Sequence, residues 1–435
     1  MRTIIVSIGL ASGLAANLFA GETSYVAHEW GTFTSVQGGD GALLPWRPLE
    51  SSVLPGFVYN WKHPGLGRMA GGAMIFAKGE IACLQRMETP VIYFYSDERR
   101  KVDVSVDFPE GTITEWYPQA AKIGPAFPQN TNCTTTAMNE SGARWSQVEI
   151  LPQRANLTPE MKLPYDRSGS HYFAARETDA SQLNITTGTS TSVPEREKFI
   201  FYRGTGNFKT PLKVTTAGEN TVTIANESKE PLDHLFVLGL ENGSGKFIHV
   251  ERLAPGERRN VQLSLEERPV VLEKLSREVG REMASALTSQ GLYQREANAM
   301  VETWRDSWFA EDGVRVLYLL PRTWTDRTLP LKLAPAPKDV VRVMVGRAEV
   351  LLPAREQQLA GAIEKAKQGD SAARAFVHAE FKSLARFAEP ALQLAVKGAD
   401  EKTRQEAWRL YQEALYPQPK VSVSAPASVA ASPYE

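Results

Sequence analysis

Residues 291–353 constrain the fold of this chain more than any other stretch. They contain an apolar pattern of helical period that is followed closely by two apolar runs typical of strands. Between residues 293 and 309, apolar side chains recur at every third or fourth position, which predicts an amphipathic helix that buries one face. The apolar face comprises Tyr293, Ala297, Met300, Val301, Trp304 and Trp308. Residues 315–321 (RVLYLLP) and 340–346 (VVRVMVG) predict two buried strands. The chain is therefore expected to combine helices with a sheet.

The segment between those two strands, residues 322–331, is predicted to be a loop that carries a candidate binding site. It contains Trp324, Asp326 and Arg327, and this combination of an aromatic platform with charged side chains suits recognition of an anion or a carbohydrate. Further charged residues join this cluster, namely Arg322, Arg342, Arg347 and Glu349. The alternative interpretation is an ion-pair network that joins the helical and β regions.

A second candidate site lies in the run AHEWGTFT, which contains His28, Glu29 and Trp30. A helical zinc-protease motif requires a second histidine four residues after the first, and Thr32 occupies that position. On a strand, His28 and Trp30 share one face and Glu29 lies on the other, so His28 and Glu29 are not expected to bind one metal ion. His28 is either a structural residue beside a packed tryptophan or part of a binding site. We predict that the two candidate sites form one concave surface.

The sequence offers no motif for a metal, a nucleotide or a serine nucleophile. None of the six histidines stands at metal-ligand spacing from another. The glycine-rich run at residues 65–72 lacks the lysine and the βαβ context of a phosphate loop and is expected to be a surface loop. The GxSxG motif is also missing from the sequence. We therefore predict no metal site and no cofactor, and we assign no catalytic residue.

The charge balance limits the class of partner. The 435-residue chain has 49 Lys and Arg residues against 50 Asp and Glu residues, a formal net charge of −1. Nucleic-acid binding needs an excess of basic side chains to neutralise phosphates, so a nucleic-acid partner is not expected. The expected ligand is a small molecule, a glycan or a protein.

The N-terminus has the pattern of a secretory signal peptide in residues 1–20. Arg2 supplies a positive charge, residues 4–19 are apolar, and Ala20 is a small residue at the predicted cleavage position. This apolar segment is shorter than the about 20 residues that a membrane-spanning helix needs. An uncleaved anchor is the alternative. We expect a soluble bacterial protein, secreted or periplasmic, with no transmembrane span after cleavage of the signal peptide.

The mature chain is predicted to be an α+β multidomain protein. Residues 24–205 are expected to form an antiparallel β-sandwich, because alternating and β-branched runs are separated by turn signals. The segments that follow are an immunoglobulin-like (Ig-like) module (206–266), a helical hairpin with two strands (267–353), C-terminal helices (354–416) and a disordered tail (417–435). Strands within residues 314–352 are candidates to complete the Ig-like module.

Three residues are predicted to mark helix ends. Gly291 suits the left-handed position that follows the first helix of the hairpin. Asp370 suits the N-cap of a C-terminal helix, and that helix is expected to end before Pro390.

The chain contains two cysteines, Cys83 and Cys133. An oxidising compartment permits a disulfide bond between them, which requires Cα atoms within about 7 Å of each other. Two independent thiols are the alternative.

Five runs of the sequence resemble segments of an uncharacterised family of secreted bacterial proteins. The runs are AHEWGTFT (27–34), METPVIYFY (87–95), TEWYPQA (114–120), FYRGTGNF (201–208) and RVMVGRAEV (342–350). The resemblance extends over most of residues 25–350, and it implies export and a shared fold. It implies no activity and assigns no catalytic residue.

Two functions of different class are compatible with these patterns. The first is an exported binding or scaffolding protein of the cell envelope, which is favoured because no catalytic motif is found. The second is a secreted hydrolase with its site between the β and helical regions.

Overall fold

The computed structural model describes residues 25–48, 54–61, 82–124, 141–153, 162–187, 193–218, 221–263 and 269–417. Within these residues the chain is a mixed α/β protein with three β-sheets and seven α-helices, and most of the helices are C-terminal. The predicted signal peptide, the glycine-rich run and residues 418–435 of the predicted tail lie outside the described residues. No helix in the described part of the chain is long and apolar enough to cross a membrane.

The bounds of the elements are as follows. The strands are β1 (Val26–Gln37), β2 (Leu43–Leu44), β3 (Tyr59–Asn60), β4 (Gln85–Tyr95), β5 (Arg100–Phe108), β6 (Gly111–Tyr117), β7 (Lys122–Gly124), β8 (Ser141–Ile150), β9 (Leu183–Ile185), β10 (Glu195–Glu197), β11 (Phe199–Gly206), β12 (Leu212–Thr216), β13 (Thr221–Asn226), β14 (Leu232–Glu241), β15 (Ser244–Leu253), β16 (Arg258–Gln262), β17 (Val270–Val271), β18 (Gly313–Leu319), β19 (Leu331–Ala334) and β20 (Asp339–Val350). The helices are α1 (Leu272–Ser289), α2 (Gln294–Phe309), α3 (Arg322–Thr328), α4 (Pro353–Lys367), α5 (Ser371–Leu384), α6 (Ala388–Ala395) and α7 (Glu401–Leu415). Short 3-10 helices span His171–Arg176 and Ala385–Phe387.

The largest sheet, called the large sheet below, contains eleven of the described strands. Its strand order is β17-β15-β14-β18-β20-β1-β4-β11-β6-β3, with β2 paired to β1. Strand β1 pairs with β20 in parallel and with β4 antiparallel. Because β1 comes first and β20 comes last among the strands of the described chain, this pairing joins the two ends of the β region into one sheet.

The large sheet has two buried faces. The six-stranded sheet (β5, β7, β8, β9, β10 and β19) and the three-stranded sheet (β12, β13 and β16) pack on one, the sheet-covered face. This core contains Phe33 and Met344 of the large sheet, Val104 and Trp145 of the six-stranded sheet, and Ile224 of the three-stranded sheet.

The opposite face of the large sheet packs against helices α1 and α2 and against the 3-10 helix His171–Arg176, and it is called the helix-covered face. Trp30, Tyr93 and Leu317 of the sheet lie in this core with Met283 of α1 and Trp304 of α2. The C-terminal helices α4 to α7 form a third core, which reaches the sheet at Val36 and Leu351.

Most local predictions for residues 269–417 are confirmed. The helix predicted over residues 293–309 is α2, and its stripe is buried except at Tyr293, which is 46% exposed. The two predicted strands are β18 and β20. Gly291 follows α1 with φ 104°, as the left-handed position requires. The Asp370 side chain accepts hydrogen bonds from the backbone N–H groups of Ala372 and Ala373 and caps α5.

Three predictions are corrected. Residues 322–331 are not a loop, because Arg322–Thr328 forms α3 and Leu331 begins β19. The pairing of β1 with β20 is parallel, whereas an antiparallel arrangement was expected. Arg347 and Glu349 do not join the cluster of Arg322 and Asp326, because they lie on the opposite face of β20 to Arg342. Helix α5 ends at Leu384, so its predicted end before Pro390 is confirmed.

The predicted segment boundaries do not coincide with the boundaries between the sheets. Strands from residues 24–205, 206–266 and 267–353 all belong to the large sheet. Within residues 206–266, strands β12, β13 and β16 form the three-stranded sheet, while β14 and β15 join the large sheet. Strand β14 also pairs with β18 from the later segment.

Candidate functional site

Strand β1 directs its candidate residues to opposite faces of the large sheet, as the alternation of a strand requires. His28 contacts side chains of the helix-covered face, and Trp30 is fully buried in the core of that face. Glu29 is also fully buried, but it contacts Tyr202, whose ring lies in the core of the sheet-covered face. The predicted separation of His28 from Glu29 is confirmed.

His28 is part of a closed hydrogen-bonded cluster with helix α2. Its Nδ1 lies 2.7 Å from Glu296 Oε2, and Glu296 Oε1 accepts a hydrogen bond of 2.7 Å from Tyr95 Oη. The backbone N–H of Tyr293 donates to Glu296 Oε2 at 2.8 Å, and the rings of His28 and Tyr293 are 4.4 Å apart. Since both carboxylate oxygens of Glu296 have partners on the sheet or at the start of α2, this arrangement attaches α2 to the sheet.

Glu29 belongs to a second cluster, on the sheet-covered face. Its Oε2 accepts a hydrogen bond of 2.5 Å from Arg342 Nε, and its Oε1 accepts one of 2.5 Å from Tyr202 Oη. Arg342 Nη1 also donates to Asp326 Oδ1 at 2.8 Å, and Arg322 Nε donates to the same carboxylate. This is the ion-pair network that was the alternative interpretation of the Arg322–Asp326 cluster.

The predicted shared concave surface is wrong. Trp324 is buried against Phe33 and Phe208 in the core of the sheet-covered face, whereas His28 and Trp30 lie on the helix-covered face. Asp326 is 46% exposed and Arg327 is exposed, both on α3. Residues 28 and 30 alternate with Phe33 along β1 and therefore point to the opposite face of the sheet. Because Phe33 contacts Trp324, the sheet separates Trp30 from Trp324.

A group of charged residues, of which the sequence analysis singled out Arg347 alone, meets on the helix-covered face and is called the arginine centre. It comprises Arg86, Glu88, Arg203, Arg347 and Arg386. Arg86 lies on β4, opposite Thr34 of β1 and Thr205 of β11, and Arg347 of β20 lies on the other side of Thr34. All four side chains on the strands are nearly or fully buried. Arg386 reaches the centre from the C-terminal helical region and is 12% exposed.

Glu88 is the carboxylate at the middle of the arginine centre. Arg386 Nη1 donates to Glu88 Oε1 at 2.8 Å, and Arg86 Nε lies 3.2 Å from the same oxygen in an ion pair without hydrogen-bond geometry. Thr34 Oγ1 donates to Glu88 Oε2 at 3.2 Å. One carboxylate therefore serves two guanidinium groups and a hydroxyl.

The other two arginines have their own carboxylates. Arg203 donates to Glu115 through Nε at 2.8 Å and Nη2 at 3.0 Å, a bidentate pair across β11 and β6. Arg347 Nη2 donates to Glu349 at 2.7 Å and to Glu311 at 2.8 Å. Arg386 Nη2 also lies 3.7 Å from Glu311. Counted with Arg315, which pairs with Glu349, and with the separate Arg203–Glu115 pair, the network has five arginines and four glutamates. Positive charge is thus in excess by one.

The electrostatics of the centre reflect this excess. Burial alone would raise the pKa of Glu88, but Arg386, Arg86 and Arg347 together lower it to about 2. Burial lowers the pKa of Arg86 to about 10, and Arg203 and Arg386 act in the same direction against the opposing effect of Glu88. Burial and the nearby Arg203 lower the pKa of His171 to about 4, so this ring is neutral at pH 7.

Several donors around the centre have no acceptor. Within the described residues, Arg386 Nε and Nη2, His171 Nε2, Trp304 Nε1 and Trp308 Nε1 are buried and have no hydrogen-bond partner. The His171 and Trp304 rings are 5.0 Å apart, and the Trp304 and Trp308 rings are stacked at 6.3 Å. Buried polar groups without a partner are uncommon in folded proteins, so several of them on one face of the sheet call for an explanation such as a bound ligand.

Two strained backbone positions flank the centre. Thr89, directly after Glu88, has φ 42°, and Ala385, directly before Arg386, has φ 45°. Residues with a Cβ rarely adopt positive φ, and a β-branched residue such as threonine does so least readily. Such conformations persist where the surrounding structure enforces them, and they are frequent at functional sites.

A cavity lies beside the centre. It has a volume of about 470 Å³ when its open solvent is included, and its lining contains Glu311, Glu349 and Phe387. The Phe387 ring lies 5.1 Å from the Arg347 guanidinium and 4.9 Å from that of Arg386. The cavity therefore adjoins residues that contact Arg347 and Arg386, while none of the five residues of the arginine centre lines it.

A signal for this site was present in the sequence. Arg86 immediately precedes the run METPVIYFY, while Arg203 lies in FYRGTGNF and Arg347 in RVMVGRAEV. All five runs that carry the family resemblance fall on β20, β1, β4, β11 and β6, which are adjacent in that order in the large sheet. These charged residues occupy strand positions that the apolar alternation predicts to be buried. A charged residue at such a position is a local sign of a site, and the sequence analysis did not use it.

Metal and thiol chemistry have little support at these positions. Among the described residues, no group of three or more His, Cys, Asp or Glu side chains is arranged to hold a metal ion. Cys83 is fully buried, and burial raises the pKa of its thiol to about 12. Cys133 lies outside the described residues, so the disulfide bond stays a prediction.

Comparisons with known proteins assign no family. No protein-family model matches the chain, and no curated protein matches it. Among solved structures, the yeast delta-COP-I mu-homology domain matches with a TM-score of 0.27 and 6% identity over 75% of this chain and 98% of that chain. The same domain complexed with the Dsl1 WxWxV peptide matches with the same values. A likeness at this TM-score carries no argument about function.

Proposed function

We propose that this chain is an exported binding protein whose ligand is a small oxyanion, held in the arginine centre. The ligand class is a carboxylate, a phosphate or a sulfate, because each offers several oxygen acceptors to guanidinium donors. One observation carries the proposal. Arg386 uses Nη1 for Glu88, while its buried Nε and Nη2 have no hydrogen-bond partner in the described part of the chain, and Nη2 lies 3.7 Å from Glu311 Oε2, beyond hydrogen-bond distance.

The donor geometry favours an anion over a neutral ligand. A buried guanidinium that lacks acceptors loses the hydration of its charge without compensation, which is costly. The five arginines of the network face four glutamates, and the nearest histidine, His171, is neutral at pH 7. An oxyanion beside Arg386 would supply the missing acceptors and the missing negative charge together.

The aromatic side chains support a ligand at the same place. Trp304 and Trp308 present indole N–H groups without partners, and an indole N–H only donates. The His171 ring is 5.0 Å from the Trp304 ring. Donors from helix α2 and from the 3-10 helix thus supplement the arginine centre, in the part of the molecule where the sheet meets the helices.

The proposal also covers the finer fold and the cellular location. The packing of β12, β13 and β16 in a layer opposite β14 and β15 supports an Ig-like interpretation of residues 206–266. The N-terminal pattern and the family resemblance support export to the periplasm or the medium. The secreted hydrolase stays the alternative, and the His28–Glu296 pair, at 2.7 Å, is the arrangement that favours it.

Isothermal titration of the purified protein with sulfate, phosphate and acetate, at constant ionic strength, tests the proposal. We expect saturable binding of at least one anion. Replacement of Arg386 by Met should weaken it about tenfold or more, because a hydrogen bond to a charged group contributes about 1.5–3 kcal/mol. Arg386→Lys retains the charge without the forked donors and should give an intermediate affinity.

The matched control is Arg277→Met, which removes a guanidinium that is 65% exposed on α1 and pairs only with the nearby Glu273. This variant should bind the anion like the parent protein. If no anion binds saturably, or if a folded Arg386→Met variant binds with the parent affinity, the network is structural and the proposal fails.

A further inference from the structure

Two histidines that are far from metal-ligand spacing in the sequence become neighbours on β14 and β15. His234 Nδ1 lies 3.2 Å from His249 Nε2, and the ring centroids are 5.4 Å apart. The His249 ring is stacked on Phe236 at 4.2 Å with an interplanar angle of 10°, which fixes its orientation. This pair is on the edge of the molecule near α1 and has no part in the arginine centre.

The backbone is distorted where it places His234. The pairing of β14 with β18 shifts its register between Asp233 and Phe236, which indicates a bulge. His234 itself has φ 50°, in the left-handed region that residues with a Cβ seldom adopt. Bulges and strained positions of this kind often redirect a side chain at a functional site.

The outer nitrogens of both rings are engaged by side chains of α1. His249 Nδ1 lies 3.2 Å from Glu282 Oε2 in an ion pair without hydrogen-bond geometry, and we assign the ring proton to this nitrogen because it faces a carboxylate. His234 Nε2 lies 3.4 Å from Ser289 Oγ, and that hydroxyl donates its own proton to the Ala286 carbonyl at 2.7 Å. Ser289 therefore accepts from His234 Nε2, which also carries a proton.

These assignments leave two lone pairs facing each other. In the neutral rings, His234 Nδ1 and His249 Nε2 are both acceptors, and 3.2 Å between two acceptors is unfavourable unless a cation lies between them. Two imidazole nitrogens bound to one tetrahedral ion at about 2.0–2.1 Å are about 3.3–3.4 Å apart. The observed separation is close to that value.

We propose that His234 Nδ1 and His249 Nε2 bind one divalent transition-metal ion, of the class of Zn²⁺, Ni²⁺ or Cu²⁺. Neutral imidazole is a preferred ligand for these ions. Glu282 and Ser289 are positioning residues, since they hold the rings through the nitrogens that do not touch the metal. His249 is 23% exposed and Glu282 is 46% exposed, so water has access to complete the coordination.

Titration of the untagged, chelator-treated protein with ZnCl₂ and, separately, NiCl₂ tests this inference by calorimetry. We expect saturable binding of one ion per chain. His249→Phe retains the ring that stacks on Phe236 but removes the nitrogen, and it should lose this binding. Glu282→Gln should weaken it about 10- to 100-fold, as loss of a residue that orients a ligand usually does.

The matched control is His378→Phe, since His378 pairs with Glu413 on the C-terminal helices and is 28% exposed. This variant should bind the ion like the parent protein. If His249→Phe is misfolded by circular dichroism, His234→Asn replaces it, because asparagine tolerates positive φ. Binding that persists in the folded histidine variants, or no saturable binding by the parent protein, overturns the inference. The second outcome would indicate that a proton bridges the two rings.

Discussion

The two faces of the large sheet bury arginine in different ways. On the sheet-covered face, Arg342 lies between two carboxylates, Glu29 and Asp326, and Tyr202 donates to the remaining Glu29 oxygen. Two carboxylates serve two arginines there, Arg322 and Arg342, so the charges are equal in number, although Arg342 Nη2 is buried without a hydrogen-bond partner in the described part of the chain. Such a network supplies its own compensation for the burial of charge and needs no ligand.

On the helix-covered face the arginines of the network outnumber the glutamates. Arg86 and Arg386 share Glu88, and two nitrogens of Arg386 have no hydrogen-bond partner in the described part of the chain, although Nη2 lies 3.7 Å from Glu311. The comparison teaches that buried charge alone does not indicate a site. The balance of positive and negative charge distinguishes a network that is complete from one that an anion would complete.

The largest expected effect concerns the complete network. Replacement of Arg342 by Met leaves the fully buried Glu29 without its charged partner, and this should reduce the free energy of unfolding by about 3–5 kcal/mol in urea denaturation. Arg327→Met, on the exposed side of α3, should change it by no more than about 0.5 kcal/mol. Equal effects of the two substitutions would contradict the comparison.

The pH dependence of stability sharpens the contrast on the other face. His171 has a pKa near 4 in the folded protein against 6.5 when unfolded. The unfolded chain therefore binds a proton that the folded chain does not, and stability falls as pH decreases from about 6.5 to about 4, by at most about 3 kcal/mol. Urea denaturation across this range should show the loss, and His171→Phe should remove it.

Glu88 has a separate pH window. Its pKa is about 2 when folded against 4.5 when unfolded, so its contribution is complete above about 4.5 and is lost as pH falls towards about 2. The two windows are distinguishable in one titration of stability. A loss between pH 6.5 and 4.5 that persists in His171→Phe would show that another group is responsible.

The smallest expected effect concerns the exposed end of the complete network. Asp326 is 46% exposed and Arg342 retains Glu29, so Asp326→Ala should destabilise by less than about 1 kcal/mol. It should not change anion binding, because the sheet lies between Asp326 and the arginine centre. Calorimetric unfolding and the anion titration measure the two quantities. Loss of anion binding in this variant would return Asp326 to the candidate site.

The local elements of this protein followed from its sequence. The stripe of α2, the left-handed Gly291 and the Asp370 cap all depend on residues within a few positions of one another. The placement of His28 and Glu29 on opposite faces of the strand could be predicted for the same reason. The loop assigned to residues 322–331 was wrong because the contacts of α3 with distant strands decide its conformation.

Only the tertiary structure decided which strands are neighbours. The pairing of β1 with β20 joins Val26 to Asp339, and no local periodicity specifies a parallel partner so far along the chain. The arginine centre depends on that pairing, since Thr34 lies between Arg86 and Arg347 only when β4, β1 and β20 are adjacent. The sequence by itself determined which residues are buried on each strand. Whether two buried charges meet depends on the pairing of strands that are hundreds of residues apart in the chain, so the fold decided the site.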